Sequence, residues 1–368
     1  MRFCIVFAVL QVMWFFVPAR VNAELAPRIE NATGTLVEEG VLTITGQNFG
    51  VKAQAAPIFF DKIDSVCING QKSVPYQNVL DGVVVPTGIG WPWRGQVEDF
   101  VRIARSGEHY GNRSSHYRVI IDQVSIDGSA QSAWLDFPSG FPDPVGRETK
   151  KLYLSWYIKL SFDPASQSGS HKFVRIWDVT SGNPVGIRIS WTQMHLTYDQ
   201  DGVGQKPSWK TWGGEINKWN KMELYIDTDT GVIKAWTNGV LMHDIRDFVP
   251  GGFNATGDFQ GIRPRLWGLD GSGDANFQNG VVELSDYWAD STQARVEICS
   301  ESKWPECVVR ESQPAISWTQ NEIKVSLNVG NLANLDSAYI YVVKESGVHN
   351  FIGYPLADVV RPSSPNLD

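Results

Sequence analysis

The clearest strand pattern in the chain reads Trp219-Asn-Lys-Met-Glu-Leu-Tyr-Ile-Asp227, followed by Gly231-Val-Ile-Lys-Ala-Trp-Thr-Asn-Gly239. Apolar and polar side chains alternate along both runs, as they do in strands that bury one face. The turn sequences Asp229-Thr-Gly231 and Asn238-Gly239 follow the two runs and favour hairpins. Similar short runs recur along the chain between Gly, Pro, Asn and Asp residues, and helical periodicity is hard to find. The sequence therefore predicts an all-β fold of the sandwich or jelly-roll type.

Size, charge and aromatic content narrow the classes of function. The 368 residues include 40 acidic and 32 basic side chains, a balance that does not suit nonspecific nucleic-acid binding through phosphate neutralisation. The length is comfortable for two domains. The 15 tryptophans are a high number. Flat indole faces stack on sugar rings, although tryptophan also fills sandwich cores, and we expect half or more of them to be core residues.

The first 23 residues have the layout of a secretory signal peptide. Arg2 precedes an apolar run over residues 3–17, and small residues follow at Val21 and Ala23. The apolar run is shorter than the ~20 residues of a transmembrane helix, and we find no second stretch that could span a membrane. We expect residues 1–23 to be removed and the protein to be secreted, with an uncleaved anchor as the alternative.

Cysteine use is consistent with export. Cys4 leaves with the signal peptide, which leaves three cysteines, Cys67, Cys299 and Cys307. Cys299 and Cys307 bracket a short loop and form the favoured disulfide. A bridge from Cys67 to either of them is the alternative.

The two ends of the mature chain carry strand patterns that differ from those of the middle. Gly40-Val-Leu-Thr-Ile-Thr-Gly-Gln-Asn-Phe-Gly50 is similar to the first hairpin of the immunoglobulin-like domains of the IPT/TIG family. Ile316-Ser-Trp-Thr-Gln-Asn-Glu-Ile323 and Tyr339-Ile-Tyr-Val-Val-Lys-Glu-Ser-Gly347 resemble its closing strands. The resemblance implies a small β-sandwich built from residues 24–66 and 291–368, with 67–85 as a linker. Two separate partial domains are the alternative.

The middle of the chain, residues 86–290, resembles the concanavalin-like and laminin-G-like jelly rolls. The resemblance depends on the Trp219–Gly239 segment and on Leu152-Tyr-Leu-Ser-Trp-Tyr-Ile-Lys-Leu-Ser-Phe-Asp163, which is similar to a stretch of jelly-roll polysaccharide lyases. It implies a concanavalin-like sandwich inserted between the two halves of the terminal domain. Lectins, hydrolases, lyases and adhesion modules share this fold, so the fold alone does not give the function.

The triplet Gln193-Met194-His195 suggests a catalytic site. It is similar to the Gln-Ile/Val-His strand of alginate-lyase-like jelly rolls, where the glutamine helps hold the uronate carboxylate and the histidine assists proton abstraction. β-Elimination next to a carboxylate needs that charge neutralised, a base for the proton and a donor for the leaving oxygen. Arg175, Gln193, His195 and Tyr225 could supply these roles if their strands are neighbours.

Further side chains could line a sugar-binding groove, because residues two apart in a strand share a face. The cluster Trp209-Lys-Thr-Trp212 could likewise stack a sugar ring or cap the sandwich end. The substrate-binding candidates are His171, Trp177, Trp191, Glu223, Arg118 and Trp212.

Several motifs of the lyase and glycosidase families are missing from this sequence. The lyase family's Arg-Ser/Thr-Glu-Leu strand and its Tyr-Phe-Lys-Ala-Gly strand are absent, as is the Glu-x-Asp-x-x-Glu strand of laminarinase-type glycosidases. Three interpretations of the polar strand face remain open: a lyase site, a groove that only binds, and structural hydrogen bonding. We therefore expect a secreted protein that recognises an extracellular polysaccharide, anionic or neutral, with a uronate-specific lyase and a purely structural surface protein as alternatives.

Two acidic segments offer oxygen ligands in loops. Asp199-Gln-Asp201 and Asp270-Gly-Ser-Gly-Asp274 could hold one structural Ca²⁺, as jelly rolls of this kind often do, or form ordinary Asx turns. No histidine pair has a zinc-site spacing, and no catalytic cofactor is expected.

Overall fold

A computed structural model describes residues 24–96, 100–121, 132–141, 149–166, 171–178, 188–200, 204–249, 261–270 and 280–361. Strands and turns make up nearly all of this part, and its helices are 3₁₀ turns of three residues each. The predicted all-β fold is therefore confirmed. The predicted signal peptide, residues 1–23, lies outside the described residues.

A ten-stranded antiparallel sheet forms one layer of the central sandwich. Its strands in spatial order are β17 (Val240–Ile245), β16 (Val232–Thr237), β15 (Asn220–Asp227), β10 (Lys151–Leu160), β19 (Gly280–Asp290), β3 (Phe59–Asp61), β4 (Val66–Ile68) and β5 (Gln71–Ser73), with β8 (His116–Ile121) also on β19 and β7 (Arg102–Ala104) on β8. The hairpin predicted from the sequence pairs Met222 with Thr237. Asn238 and Gly239 both have positive φ, 50° and 78°, as a tight two-residue hairpin turn requires.

A seven-stranded antiparallel sheet forms the second layer. Its strands in spatial order are β14 (Gly204–Trp209), β13 (His195–Gln200), β12 (Arg188–Thr192), β11 (Lys172–Asp178), β18 (Ile262–Asp270), β9 (Ser132–Pro138) and β6 (Trp93–Gln96). Between the two sheets lies one large apolar core, in which Trp156 packs edge-on against Trp191 and Trp267.

Both chain ends build a second, smaller sandwich. One sheet contains β1 (Arg28–Gly34), β2 (Val41–Gln47), β23 (Glu322–Ser326) and β22 (Ala315–Trp318). The other contains β21 (Arg310–Gln313), β20 (Arg295–Cys299), β24 (Tyr339–Val343) and β25 (Tyr354–Pro355). Its separate core includes Leu42, Ile44, Ile298, Ile323 and Ile340. The small sandwich formed from both ends is thus confirmed, whereas membership of the IPT/TIG family stays a prediction.

The first domain boundary differs from the expected one. We placed residues 24–66 in the small sandwich and 67–85 in a linker, but β3 pairs with β19 of the jelly roll, Phe60 opposite Trp288. β4 and β5 extend the same sheet edge. Tyr76, within the expected linker, is buried in the jelly-roll core. A short hairpin can join the edge of whichever sheet it meets, so its sequence does not reveal its domain.

The small sandwich packs on the ten-stranded sheet. Lys221 and Glu223 of β15 form ion pairs with Glu297 and Arg295 of β20, and the Tyr157 hydroxyl donates to the carbonyl of Arg310. The described polar contacts between the sandwiches run through this sheet and the loop at residues 110–113. The outer face of the seven-stranded sheet is therefore the side of the jelly roll turned away from the small sandwich.

Candidate functional site

Strand alternation gives the seven-stranded sheet an outer face that is polar and aromatic. In β13, Leu196 and Tyr198 point into the core, so His195 lies on the opposite, outer face. In β11, Phe173, Val174 and Ile176 are core residues, and a β-bulge lies between Lys172 and Val174. Lys172, before the bulge, therefore points outward with Arg175 and Trp177. We call Lys172, Arg175, Trp177, His195 and Trp209 the outer-face site.

Cationic groups meet at one end of this face. The Lys172 ammonium lies 3.6 Å from the Asp270 carboxylate across the β11–β18 pair. Burial lowers the pKa of Lys172, Asp270 acts in the opposite direction, and the nearby charge of Arg175 lowers the pKa further. Burial and then the charge of Lys172 lower the pKa of His195 below its ordinary value. His195 is therefore a neutral imidazole at neutral pH, next to cations that suit an anionic ligand.

Two indoles provide flat surfaces beside these charges. Trp209 is paired in register with His195, and their ring centroids are 4.7 Å apart. Trp209 is 68% exposed, as expected at the end of an edge strand whose residues alternate between half-buried and exposed. Trp177 is half-buried, and the Arg265 guanidinium lies 5.0 Å from its ring centroid. The exposed indole of Trp209 offers a surface on which a sugar ring could stack, and Arg265 places a cation over the second indole, Trp177.

Trp209 is not among the substrate-binding candidates predicted from the sequence, which include Trp212 of the same aromatic cluster. The structure buries Trp212 in the sandwich core, with its ring centroid 5.7 Å from that of Phe173. Trp191 is also fully buried in the core. The sequence of residues 204–209, Gly-Gln-Lys-Pro-Ser-Trp, has no apolar alternation that could have identified Trp209 as the exposed indole.

Gln193 is hydrogen-bonded to the backbone of His171 inside the protein. Its side-chain Oε1 accepts a hydrogen bond of 2.8 Å from the backbone N–H of His171, and its backbone N–H donates to the His171 carbonyl at 3.1 Å. Both side chains are buried, Gln193 at 1% and His171 at 0% exposure. The chain turns between β12 and β13 at Gln193 and Met194, which breaks the strand alternation that the prediction assumed. Neither residue is thus presented to a ligand on the outer face.

Tyr225 and Glu223 lie in the other sheet. Tyr225 packs with Phe60, Tyr153 and Trp288 in a small cluster on the side of the ten-stranded sheet that faces away from the jelly-roll core. Its hydroxyl donates to Asp227 at 3.4 Å, and burial raises its pKa well above the ordinary value, so it stays protonated. Glu223 is bound by arginines of the small sandwich. Strand alternation predicted that Glu223 and Tyr225 lie on the face of β15 opposite the jelly-roll core, but the small sandwich covers that face.

Arg118 is also remote from the outer-face site. It lies in β8 of the ten-stranded sheet, paired in register with Arg102 and Glu283. The structure therefore brings Arg175, Trp177 and His195 to one face. It separates them from the other candidates, His171, Gln193, Trp191, Trp212, Arg118, Glu223 and Tyr225.

The four-residue lyase constellation is consequently not assembled. All eleven tyrosines of the chain fall within the described residues. They pack in the hydrophobic clusters or in the interface between the sandwiches, and none of those described projects from the outer face. The face thus holds a candidate base and cations, without a tyrosine to protonate a leaving oxygen.

The predicted disulfide is confirmed: the sulfur atoms of Cys299 and Cys307 are 1.99 Å apart. Cys67 is a free, half-buried thiol, and burial raises its pKa. In the described part of the chain, no group of three His, Cys, Asp or Glu side chains is arranged to hold a metal ion. The calcium candidates Asp201 and Asp274 lie outside that part, so the calcium expectation stays a prediction. No helix among the described residues is long and apolar enough to span a bilayer.

No protein-family model matches this chain, and no curated protein matches it in sequence. Among solved structures, the chain is similar to the botulinum neurotoxin serotype D binding domain, with 11% identity and a TM-score of 0.35 over 65% of this chain and 48% of the neurotoxin chain. It is also similar to an alginate lyase from polysaccharide lyase family 7, with 13% identity and a TM-score of 0.31 over 63% of this chain and 92% of the lyase.

A third similarity is to the globular domain of T. cruzi calreticulin, with 13% identity and a TM-score of 0.33 over 53% of this chain and 80% of that domain. The chain spans about half the length of the neurotoxin domains that it matches. At these values the similarities assign this chain to no family.

Proposed function

We propose that the protein is a secreted, noncatalytic binding protein that recognises an anionic extracellular polysaccharide through its outer-face site. The observation that carries this proposal is Trp209, an exposed indole 4.7 Å from His195, on the same sheet face as Lys172 and Arg175. A stacking surface beside cations matches a ring that carries a carboxylate or sulfate group. The Cys299–Cys307 disulfide supports an oxidising, extracellular location.

The orientation of the two sandwiches supports the same site. The small sandwich occupies the ten-stranded sheet, and the outer face of the seven-stranded sheet is turned away from it. Polysaccharide chains are long, and a sheet face accepts such a chain more readily than a closed pocket does. Binding rather than cleavage is favoured because the described outer face presents no tyrosine as a proton donor.

Titration calorimetry with a panel of uronate, sulfated and neutral polysaccharides tests the proposal. We expect binding to an anionic member that weakens as salt increases, because the contacts are partly electrostatic. Lys172→Ala should weaken it, whereas Lys303→Ala, which removes another ion-paired lysine, should not. Equal binding of neutral and anionic polymers, or equal effects of the two variants, would contradict the proposal.

A second candidate function, β-elimination, is favoured by one observation. His195 is held unprotonated by burial and Lys172, and it shares the outer face with Arg175, so it could accept a proton next to a neutralised carboxylate. The test is the ultraviolet absorbance of the unsaturated product after incubation with each uronate polymer. A rise that is lost in His195→Ala would establish lyase activity at this site, and no rise with any polymer would exclude it for that panel.

A further inference from the structure

Five buried charged side chains form one network where the ten-stranded sheet meets the small sandwich. They are Lys221, Glu223, Arg295, Glu297 and Arg310, and each side chain is at most 6% exposed. Burial opposes the ionisation of Glu223, but the charges of Arg310 and Lys221 hold its pKa below the ordinary value. Three cations against two anions leave the network with one net positive charge among the described residues.

The cations are held in fixed positions. Arg310 Nη2 donates to Glu223 Oε2 at 2.6 Å, and Arg295 Nε donates to Glu297 Oε1 at 2.7 Å. Lys221 Nζ reaches Glu297 Oε1 at 3.0 Å. Buried Arg310 Nε finds no hydrogen-bond acceptor among the described residues, and it lies 3.7 Å from Glu297 Oε2. Glu297 Oε2 also lacks a hydrogen-bond donor among the described residues, so these two atoms form a long ion pair, and it is the one surplus positive charge of the network whose burial is costly unless a further anion is bound.

A cavity of about 110 Å³ adjoins this network. Arg295 and Arg310 line it together with Glu223, the carboxylate that pairs with both of them, and the half-buried indoles of Trp236 and Trp304 also contribute to its wall. The Arg310 guanidinium stacks over Trp304 at 4.6 Å. His349 lies against the same indole at 4.3 Å, and because burial lowers its pKa it adds no charge at neutral pH.

We propose that this cavity binds a carboxylate, and that the ligand is a small sugar acid whose ring contacts the two indoles. Two arginines present planar donors that suit a carboxylate, which would also supply the missing negative charge. Trp236 and Trp304 offer apolar faces next to that group, as a pyranose ring requires. The cavity holds the charged end of such a molecule, and the remainder lies at its mouth. The inference is independent of the outer-face site, because the two lie on different sheets.

Calorimetric titration of the complete mature chain with glucuronate, acetate and glucose at constant ionic strength tests the proposal. We expect glucuronate to bind, acetate to bind more weakly, and glucose to bind at least about tenfold more weakly than glucuronate. No heat with glucuronate, or equal affinity for glucose, would overturn the assignment.

Two variants locate the ligand in the cavity. Lys221→Met removes the surplus charge without removing a group that lines the cavity, and we expect the affinity for glucuronate to fall on the order of tenfold. Lys151→Met on the neighbouring strand, where Lys151 pairs with Glu345, is the control and should bind as the wild type does. Trp236→Ala, which leaves every charge in place, provides a second test if Lys221→Met does not fold. Wild-type affinity in the folded variants would refute the site.

Discussion

Two tryptophans of the seven-stranded sheet should respond to truncation in opposite ways. Trp191 is fully buried against Trp156, with ring centroids 6.0 Å apart, whereas Trp209 is 68% exposed. Trp191→Ala should lower the free energy of unfolding by about 3–5 kcal/mol through lost burial and a cavity. That is a large part of the ~5–15 kcal/mol that stabilises a typical domain. Trp209→Ala should change it by less than about 1 kcal/mol.

Binding should show the reverse order. Trp209 exposes roughly 150 Å² of indole surface, and a sugar ring stacked on one face covers about 60 Å² of it. At about 25 cal/mol per Å² this contact contributes about 1.5 kcal/mol, so Trp209→Ala should weaken polysaccharide binding about tenfold. Trp191→Ala should affect binding only as far as it unfolds the protein.

Urea unfolding followed by far-ultraviolet circular dichroism measures the stability, because that signal does not depend on the removed indole. Titration calorimetry on the folded variants measures the affinity. Phe351→Ala, which truncates another exposed aromatic on the small sandwich, is the matched control for both assays. A large loss of stability in Trp209→Ala, or unchanged binding in it, would refute this assignment of the two indoles.

Three other changes have definite expected results. Burial raises the pKa of Glu311 from 4.5 to about 7, so between these pH values the folded state keeps a proton that the unfolded state loses. The free energy of unfolding should therefore fall by a few kcal/mol as the pH rises through this range. Glu311→Gln should flatten the pH profile of the melting temperature. Reduction of Cys299–Cys307 should lower the free energy of unfolding by roughly 2–3 kcal/mol, because the disulfide restricts the conformations of the unfolded chain. Urea unfolding with and without reductant measures this loss, and no change would contradict the expectation. Tyr225→Phe should leave polysaccharide binding and any β-elimination unchanged, since the residue lies under the small sandwich, and a loss of either would contradict its placement.

The architecture was predictable because strand alternation and turn chemistry are local properties. The hairpin from Trp219 to Gly239 forms as expected, and the core residues of β15 are those that the alternation indicated. The two chain ends pair as expected, with β2 beside β23. The sequence placed β3 in the small sandwich and most of β4 in a linker, whereas both strands join the edge of the jelly-roll sheet.

The site was harder to predict because it depends on contacts between distant segments. All eight residues of β15 are buried, although the sequence suggested one exposed face, because Arg295 and Arg310 return over it from the end of the chain. Gln193 was expected in a regular strand, but the turn there directs its amide toward the backbone of His171. Neither effect has a signature in the local sequence.

The most direct test of polysaccharide recognition is hydroxyl-radical footprinting of the mature protein with and without the anionic polymer that it binds most tightly. We expect oxidation of Trp209 and His195 to fall several-fold in the complex, while exposed Phe351 on the small sandwich reacts as before. Unchanged oxidation of Trp209 in a saturated complex, or protection confined to Phe351, would contradict recognition through the outer face of the seven-stranded sheet.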